Sequence, residues 1–280
     1  MVYRMPEHNP QISIIISTYN SPLWLTKVLW GFAAQTDTDF EIVIADDGST
    51  EATAELIKEF QQQSTLRIQH VWHADNGFQK CIILNKAIVA STGNYLIFTD
   101  GDCVPRRDFV AVHRANAKPG YFLSGGYFKL PMSCSEAIDQ DAIQSGKAFD
   151  MNWLIQHGYP AKGKKLRLTA SGLLADLCNA LIPTAKTWNG HNASGWKKDI
   201  LAVNGFDERM QYGGEDCEMG DRMKFNGIEV KRVRYTAVCV HLDHARGYVT
   251  DEMRAKNKQI RKQTQQQKKR YTDYGVVKAG

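Results

Sequence analysis

The stretch Ile12-Ser13-Ile14-Ile15-Ile16-Ser17-Thr18-Tyr19-Asn20-Ser21-Pro22 sets the fold class. A short β-branched run that stops at Asn20 and Pro22 reads as a buried strand, and the following Leu25, Val28, Leu29 and Phe32 fall at helical spacing. Glu41-Ile42-Val43-Ile44-Ala45 repeats the scheme, with Asp46-Asp47-Gly48-Ser49 as the turn and a helix from Glu51 through Leu56, Ile57 and Phe60. A third unit joins Arg67-Ile68-Gln69-His70-Val71 to a helix over Lys80 to Ala90, and Tyr95-Leu96-Ile97-Phe98 is a fourth strand. Strands alternating with amphipathic helices predict an α/β chain with a mainly parallel sheet covered on both faces. Ligands of such sheets sit beyond the carboxyl ends of the strands. The polar residues gather at those ends: Thr18, Tyr19 and Asn20; Asp46 and Asp47; Asp75, Asn76 and Gly77; Asp100 and Asp102.

Composition narrows the function. A chain of 280 residues, 43% hydrophobic, can bury a large core as one domain or two intimate ones. The six cysteines form no CxxC pair, so neither a zinc site nor a disulfide framework is expected, and a reducing cytoplasm fits. Met1 to Pro10 is polar with no apolar leader core, and no later run approaches the ~18 apolar residues of a membrane span. A net charge of +5, concentrated in Lys162 to Arg167 and Arg254 to Arg270, makes no broad basic face for nucleic acid. The glycine spacing is not GxGxxG and no GxxxxGK[ST] occurs, which removes the usual dinucleotide fingerprint and the P-loop.

Two acidic clusters carry the chemistry. Thr99-Asp100-Gly101-Asp102 follows the fourth strand. Residues i and i+2 of an extended segment point to the same side, so both carboxylates can address one divalent cation and the diphosphate it holds. Further on, Tyr212-Gly213-Gly214-Glu215-Asp216 places two more carboxylates after a ring and a flexible glycine pair, at the start of a helix through Met219, Met223 and Phe225. Together they read as a metal site and a general base. Taken singly, each also serves as a polar turn or as acids at a helix N-terminus.

In order and spacing, Ser17-Thr18-Tyr19-Asn20, Ala45-Asp46-Asp47-Gly48-Ser49, Thr99-Asp100-Gly101-Asp102 and Asn204-Gly205-Phe206-Asp207-Glu208 with Gly214-Glu215-Asp216 resemble the family 2 inverting glycosyltransferases of the GT-A fold, over residues 11 to 246. The later half, with Gly213-Gly214-Glu215-Asp216 and His241-Leu242-Asp243-His244, is also similar to the carboxyl half of β-1,4-galactosyltransferases and of chondroitin-polymerase-like enzymes. The resemblance implies one large GT-A domain. Residues 1–128 form its nucleotide-sugar-binding half, 129–250 its acceptor-binding and catalytic half, and 251–280 a basic helical tail.

Residue by residue, the resemblance implies that Asp102 binds Mn²⁺ or Mg²⁺ and that Asp100 lies nearer the ribose or a metal-bound water. Asp46 or Asp47 accepts the N3 proton of a uracil walled by Thr18 and Tyr19 beside Asn20, and the family pattern favours Asp46. Asn76 and Lys80 lie where relatives carry a basic residue near the phosphates, although Ile83-Leu84-Asn85 departs from the usual Ala-Arg-Asn block. His244, with His241 second, stands where relatives place a metal-binding histidine. Asn192, in Trp188-Asn189-Gly190-His191-Asn192-Ala193-Ser194, is carried over as a donor-sugar contact, with His191 replacing a residue usually small. Asp216 is the base, kept ionised by the helix dipole; Glu215 holds hydroxyls; Tyr212 and Gly214 meet the acceptor.

The implied activity is transfer of a sugar from a UDP-sugar to a glycan or lipid-linked acceptor in cell-surface polysaccharide synthesis. Residues 130 to 187 match nothing distinctive and read as an insert with a mobile loop over the acceptor side, its Lys162 to Arg167 run suited to a phosphate-bearing acceptor. The tail from Asp251 to Arg270, with eight Lys or Arg against two acids, reads as a polar helix. It is suited to loose contact with an anionic inner membrane face, to packing on the catalytic domain, or to self-association. Two other classes fit the residues less well. A sugar-nucleotide nucleotidyltransferase would need a Gly-rich basic loop after the first strand, which Ser17 to Pro22 lacks. A catalytically silent glycan-binding domain would not need both carboxylate pairs.

Overall fold

The computed structural model describes residues 11–163, 165–245 and 249–278. Met1 to Pro10 and Lys164 of the basic run lie outside them. The four expected strands are β1 (Ile12–Thr18), β2 (Phe40–Asp46), β3 (Arg67–Trp72) and β4 (Tyr95–Asp100), with α1 (Pro22–Ala33), α2 (Glu51–Gln63) and α3 (Lys80–Ala90) between them. They are followed by β5 (Cys103–Pro105), α4 (Phe109–Asn116), β6 (Tyr121–Ser124) and β7 (Gly126–Lys129). Residues 130–187, read as a loop-bearing insert, are largely short helices: α5 (Met132–Ala137), α6 (Gln140–Gln144), α7 (Met151–Gln156), α8 (Leu166–Thr169) and α9 (Gly172–Leu181). The chain then runs through β8 (Ala193–Trp196), α10 (Lys197–Ala202), α11 (Glu215–Phe225), β9 (Glu229–Arg232), β10 (Val238–His241) and α12 (Asp251–Gln267).

Period-two alternation explains how the sheet is covered on both faces. Ile12, Ile14 and Ile16 of β1, with Ile42 and Ile44 of β2 and Ile97 of β4, pack against Leu25, Val28, Leu29 and Phe32 of α1. The intervening Ile15, Val43, Leu96 and Phe98 face Ile83, Leu84, Ala87 and Ile88 of α3 on the other side. The main sheet has the order β3-β2-β1-β4-β8-β6-β9, with β1 to β4 mutually parallel and β8 antiparallel to both β4 and β6. The sheet is thus mainly parallel, as expected, with one reversed strand. A second sheet, β5-β10-β7, stands beside the exit of β4.

After β9, Tyr235 and Thr236 form a turn, and β10 runs from Val238 to His241. The tail helix α12 is polar but packed. It buries Asn257, Ile260 and Thr264, and its Arg261 and Gln265 each reach Asp221 of α11 at 2.8 Å. The insert is pinned from below, where the buried Lys27 of α1 donates to the carbonyls of Ser135 and Glu136 at 2.6 and 3.1 Å.

Candidate active site

The exits of β1, β2 and β4 and the N-terminus of α11 open onto one crevice of about 510 Å³. Among its lining residues are Ser17, Thr18, Tyr19, Asn20, Asp47, Lys80, Asp100, Asp102, Tyr212, Glu215, His241 and His244. A single cavity therefore collects residues separated by more than two hundred positions in the chain.

At the β4 exit, Asp100 accepts from Ser17 Oγ at 2.7 Å and from Lys80 Nζ at 2.6 Å. Burial by itself would raise the Asp100 carboxyl, but the Lys80 ammonium and the Ser17 hydroxyl hold it well below the usual range. Lys80 is correspondingly raised, burial being outweighed by Asp100, Glu215 and Asp216. Gly101 fits because a Cβ there would lie 3.0 Å from Ser17 O. The chain then brings Asp102 round to the two histidines.

Asp102 Oδ2 lies 2.9 Å from His244 Nε2 and 3.7 Å from His241 Nε2. One potential ligand atom from each of the three residues falls within 4.8 Å of the others. The imidazoles stack 5.5 Å apart, and Tyr127 lies against His241 with ring centroids 4.8 Å apart. Buried His241 Nδ1 has no hydrogen-bond partner among the described residues. One carboxylate and two imidazoles, close together at a cavity wall, fit a divalent cation.

On the β2 side the two aspartates part company. Asp46 is wholly buried; its Oδ1 accepts from Ser49 N at 2.8 Å and its Oδ2 lies 2.9 Å from His70 Nε2. Asp47 lines the crevice, paired with His73 Nε2 at 2.8 Å and accepting from Gln79 N at 3.0 Å, and burial raises its carboxyl. The turn that follows them needs glycine: Gly48 has φ +94°, and a Cβ would sit 2.5 Å from Asp75 Cα. Tyr19 OH donates to Asp75 at 2.9 Å, and Asn20 holds the same turn by accepting from Thr50 N at 2.9 Å. Asn76 is exposed and does not line the cavity, whereas its neighbours Gly77 and Phe78 do.

At α11, Gly213 (φ +104°) and Gly214 (φ +84°) turn the chain into the helix. Glu215 Oε2 accepts from Gly213 N at 2.9 Å, while Asp216 is held by the N–H groups of Gly190 at 2.9 Å and Cys217 at 2.6 Å. Burial, then the charge of Asp216, push the Glu215 carboxyl up to about 7, against the pull of Lys80. Tyr212 forms an edge contact with Phe78 at 6.0 Å across the mouth. Glu215 lines the cavity; Asp216 stands one residue behind it, its carboxylate held beside Gly190.

Asn192 is placed differently from its expected role beside the donor sugar. It is fully buried, donating to Gly126 O and Ala237 O at 3.0 and 2.9 Å while its Oδ1 meets His113 Nε2 at 3.1 Å, so its amide knits the two sheets together. Its neighbour His191 packs on Tyr127, with ring centroids 4.5 Å apart, and burial lowers its imidazole to about 4. Sequence reading missed Trp24 and Phe78 in the lining, and the supporting Ser17, His73 and Tyr127. Ser17 had a signal, standing directly after Ile14 to Ile16 and opening the Ser17-Thr18-Tyr19-Asn20 motif.

Comparison with known proteins agrees with this geometry. Residues 13–121 match the family model for glycosyl transferase family 2, and residues 182–245 that for the N-terminal domain of galactosyltransferase. A validoxylamine A glucosyltransferase of Streptomyces hygroscopicus subsp. jinggangensis is 29% identical over 79% of this chain and 53% of its own length. The chondroitin synthase of Escherichia coli is 28% identical over 93% of this chain and 38% of its own. The chain thus spans about half or less of these relatives. Among solved structures, a Pyrobaculum calidifontis mannosyltransferase in complex with GDP-Man and Mn²⁺ superposes with TM-score 0.59 at 20% identity, covering 87% of this chain and 60% of that one. S. aureus TarS 1–349 in complex with UDP gives TM-score 0.59 at 15% identity, covering 90% and 64%. The fold is the GT-A fold of these transferases.

Proposed function

We propose that this chain, which joins a family 2 glycosyl transferase region to a galactosyltransferase-like region, is a metal-dependent inverting glycosyltransferase that moves a sugar from a UDP-sugar to a glycan or lipid-linked acceptor. One observation carries the reading: the Asp102, His241 and His244 cluster, the Asp100–Lys80 pair and Glu215 line one crevice in a GT-A fold, with Asp216 directly behind Glu215. In this reading residues 1–128 handle the donor, 129–250 the acceptor and the chemistry, and 251–280 form the tail.

Asp102, His241 and His244 would hold Mn²⁺ or Mg²⁺, which when bound neutralises charge developing on the leaving diphosphate. Lys80 adds a fixed positive charge on the same side. Because Asp47 lines the crevice and the wholly buried Asp46 does not, the uracil contact is assigned to Asp47, with Tyr19 as the wall. Asp216, oriented by the N–H groups of Gly190 and Cys217, takes the acceptor proton. The acceptor oxygen bonds to C1 from the opposite face as the C1–O bond to the diphosphate breaks and the electron pair leaves with it. Glu215, carrying a proton up to about pH 7, can donate a hydrogen bond to a sugar hydroxyl, and Tyr212 offers a ring to the acceptor.

All six cysteines are free, and among the described residues no helix is long and apolar enough to cross a membrane. The same proposal places its work at the cytoplasmic face, in cell-surface polysaccharide synthesis. A thermal-shift titration with UDP-sugars, with and without Mn²⁺, tests the proposal: a donor should raise Tm only when the metal is present. Equal shifts with and without Mn²⁺, or no shift with any UDP-sugar, would overturn it.

A further inference from the structure

Helix α9 combines an apolar sequence with a lack of cover. Leu173 is 83% exposed and Leu181 74%, and Leu174 and Leu177 are also more than half exposed. Spaced at 173, 174, 177 and 181, the four leucines fall on one arc of the helix, while Ala175 and Cys178 on the adjoining arc pack on Ala170 and Tyr235. The helix is therefore apolar over most of its circumference, and only one part of that surface meets protein. A stripe of this kind normally turns to a core or marks an interaction site.

The helix is firmly placed. Asn179 Nδ2 donates to Thr236 Oγ1 at 3.1 Å, and Asn179 Oδ1 accepts from Tyr235 N at 3.0 Å. Arg232 donates to the carbonyls of Ala180 and Ile182 at 2.7 and 2.9 Å, satisfying the C-terminal end. β9 is parallel to β6, which shares with β4 the same antiparallel neighbour, β8. The exit of β9, where α9 is fastened, thus lies at the same end of the sheet as the crevice.

Charge identifies the occupant. From residue 160 to 187 the chain carries five Lys or Arg and a single acid, Asp176. Lys162 and Lys165 precede the helix and Lys186 follows it. A second copy docked across a two-fold axis would set these cations against themselves with one acid per chain to relieve them. An anionic lipid surface takes both features at once, leucines into the acyl boundary and ammonium groups against the headgroups. We propose that α9 is the membrane-docking element of this protein, lying flat in the interface of an anionic bilayer and turning the crevice end of the sheet toward it. The inference stands apart from the donor chemistry, so its failure would leave the transferase reading untouched.

The test is co-sedimentation of the full chain with phosphatidylcholine vesicles, with and without phosphatidylglycerol. The parent should pellet with the anionic vesicles and not with the neutral ones. Leu173→Ser/Leu177→Ser and Leu174→Ser/Leu181→Ser should each reduce the partition coefficient about tenfold or more, at unchanged Tm because these side chains are exposed. Lys256→Glu/Lys258→Glu/Lys262→Glu on α12 should bind within about twofold of the parent if the apolar helix sets the contact. A parent that stays in the supernatant with anionic vesicles overturns the proposal. So do leucine variants that pellet like the parent, an α12 variant that alone loses binding, or a vesicle-silent parent dimer that the leucine variants make monomeric.

Discussion

Two carboxylates of the crevice, Asp100 and Glu215, act on Lys80, and their protonation diverges. At the β4 exit Asp100 meets the ammonium at 2.6 Å and also accepts from Ser17, so its charge is retained despite burial. At the N-terminus of α11, Glu215 has the N–H of Gly213 but shares its surroundings with the Asp216 carboxylate, and its carboxyl rises to about 7. Burial alone therefore does not fix the state of a carboxylate; the contacting donors and the nearest like charge do. In the proposed reading, the β4 exit holds positive charge on the donor side and the α11 end takes up protons on the acceptor side.

The largest break is expected at the β4 exit. Asp102→Ala should abolish Mn²⁺-dependent UDP binding while leaving the fold intact, since a strand-end carboxylate adds little to the core. Isothermal titration decides: parental UDP affinity in the presence of Mn²⁺ would remove Asp102 from the metal site.

The α11 end should break through its support. Arg222, fully buried, pairs with Glu218 at 2.8 Å and donates to the carbonyls of Val203 and Gly205, while Glu218 also accepts from Thr264 of α12. Arg222→Met strands a buried carboxylate and should cost about 3–5 kcal/mol in urea unfolding, of which Glu218→Gln on the same chain restores part. An Arg222→Met protein as stable as its parent would show that the helix is held by packing alone.

The chemical half of the comparison is sharpened at Asp216. Asp216→Asn keeps the shape but cannot accept a proton, so turnover should fall by about 10² or more with UDP affinity little changed. Near-parental turnover would move the base to Glu215.

The smallest effect is a pH dependence of stability. Glu215 has an ordinary value of 4.5 and about 7 in the fold, so the folded chain binds the proton more tightly than the unfolded one. Stability contributed by the protonated form is complete below about pH 4.5 and is lost as pH rises through about 7. Glu215→Gln lacks that loss: its Tm should match the parent at the acid end, diverge upward across the window and stay higher above pH 7. A Tm difference that does not vary with pH would mean that Glu215 titrates near its ordinary value in the folded chain.

Much of this was legible in the chain itself. Strand and helix periods are local properties, so Ile12 to Ile16, Glu41 to Ala45 and Tyr95 to Phe98 declared a parallel sheet, and the polar residues after them marked one crevice. The Gly-Gly-Glu-Asp turn was equally visible as a helix start, but the i, i+2 aspartates do not lie on an extended segment: a turn at Gly101 and Asp102 carries Asp102 to the histidines while Asp100 pairs with Lys80. What only tertiary structure decided depends on partners distant in sequence. Asp46 and Asp47 are neighbours and each pairs with a histidine, yet only the second lines the cavity. Asn192 became a buried tie because Gly126, Ala237 and His113 converge on it. The polar α12 is packed through Asn257, Thr264 and Arg261, while the apolar α9 keeps its leucines outside. Composition records what a segment prefers to touch, but only the arrangement of the rest of the chain determines whether that contact is on offer.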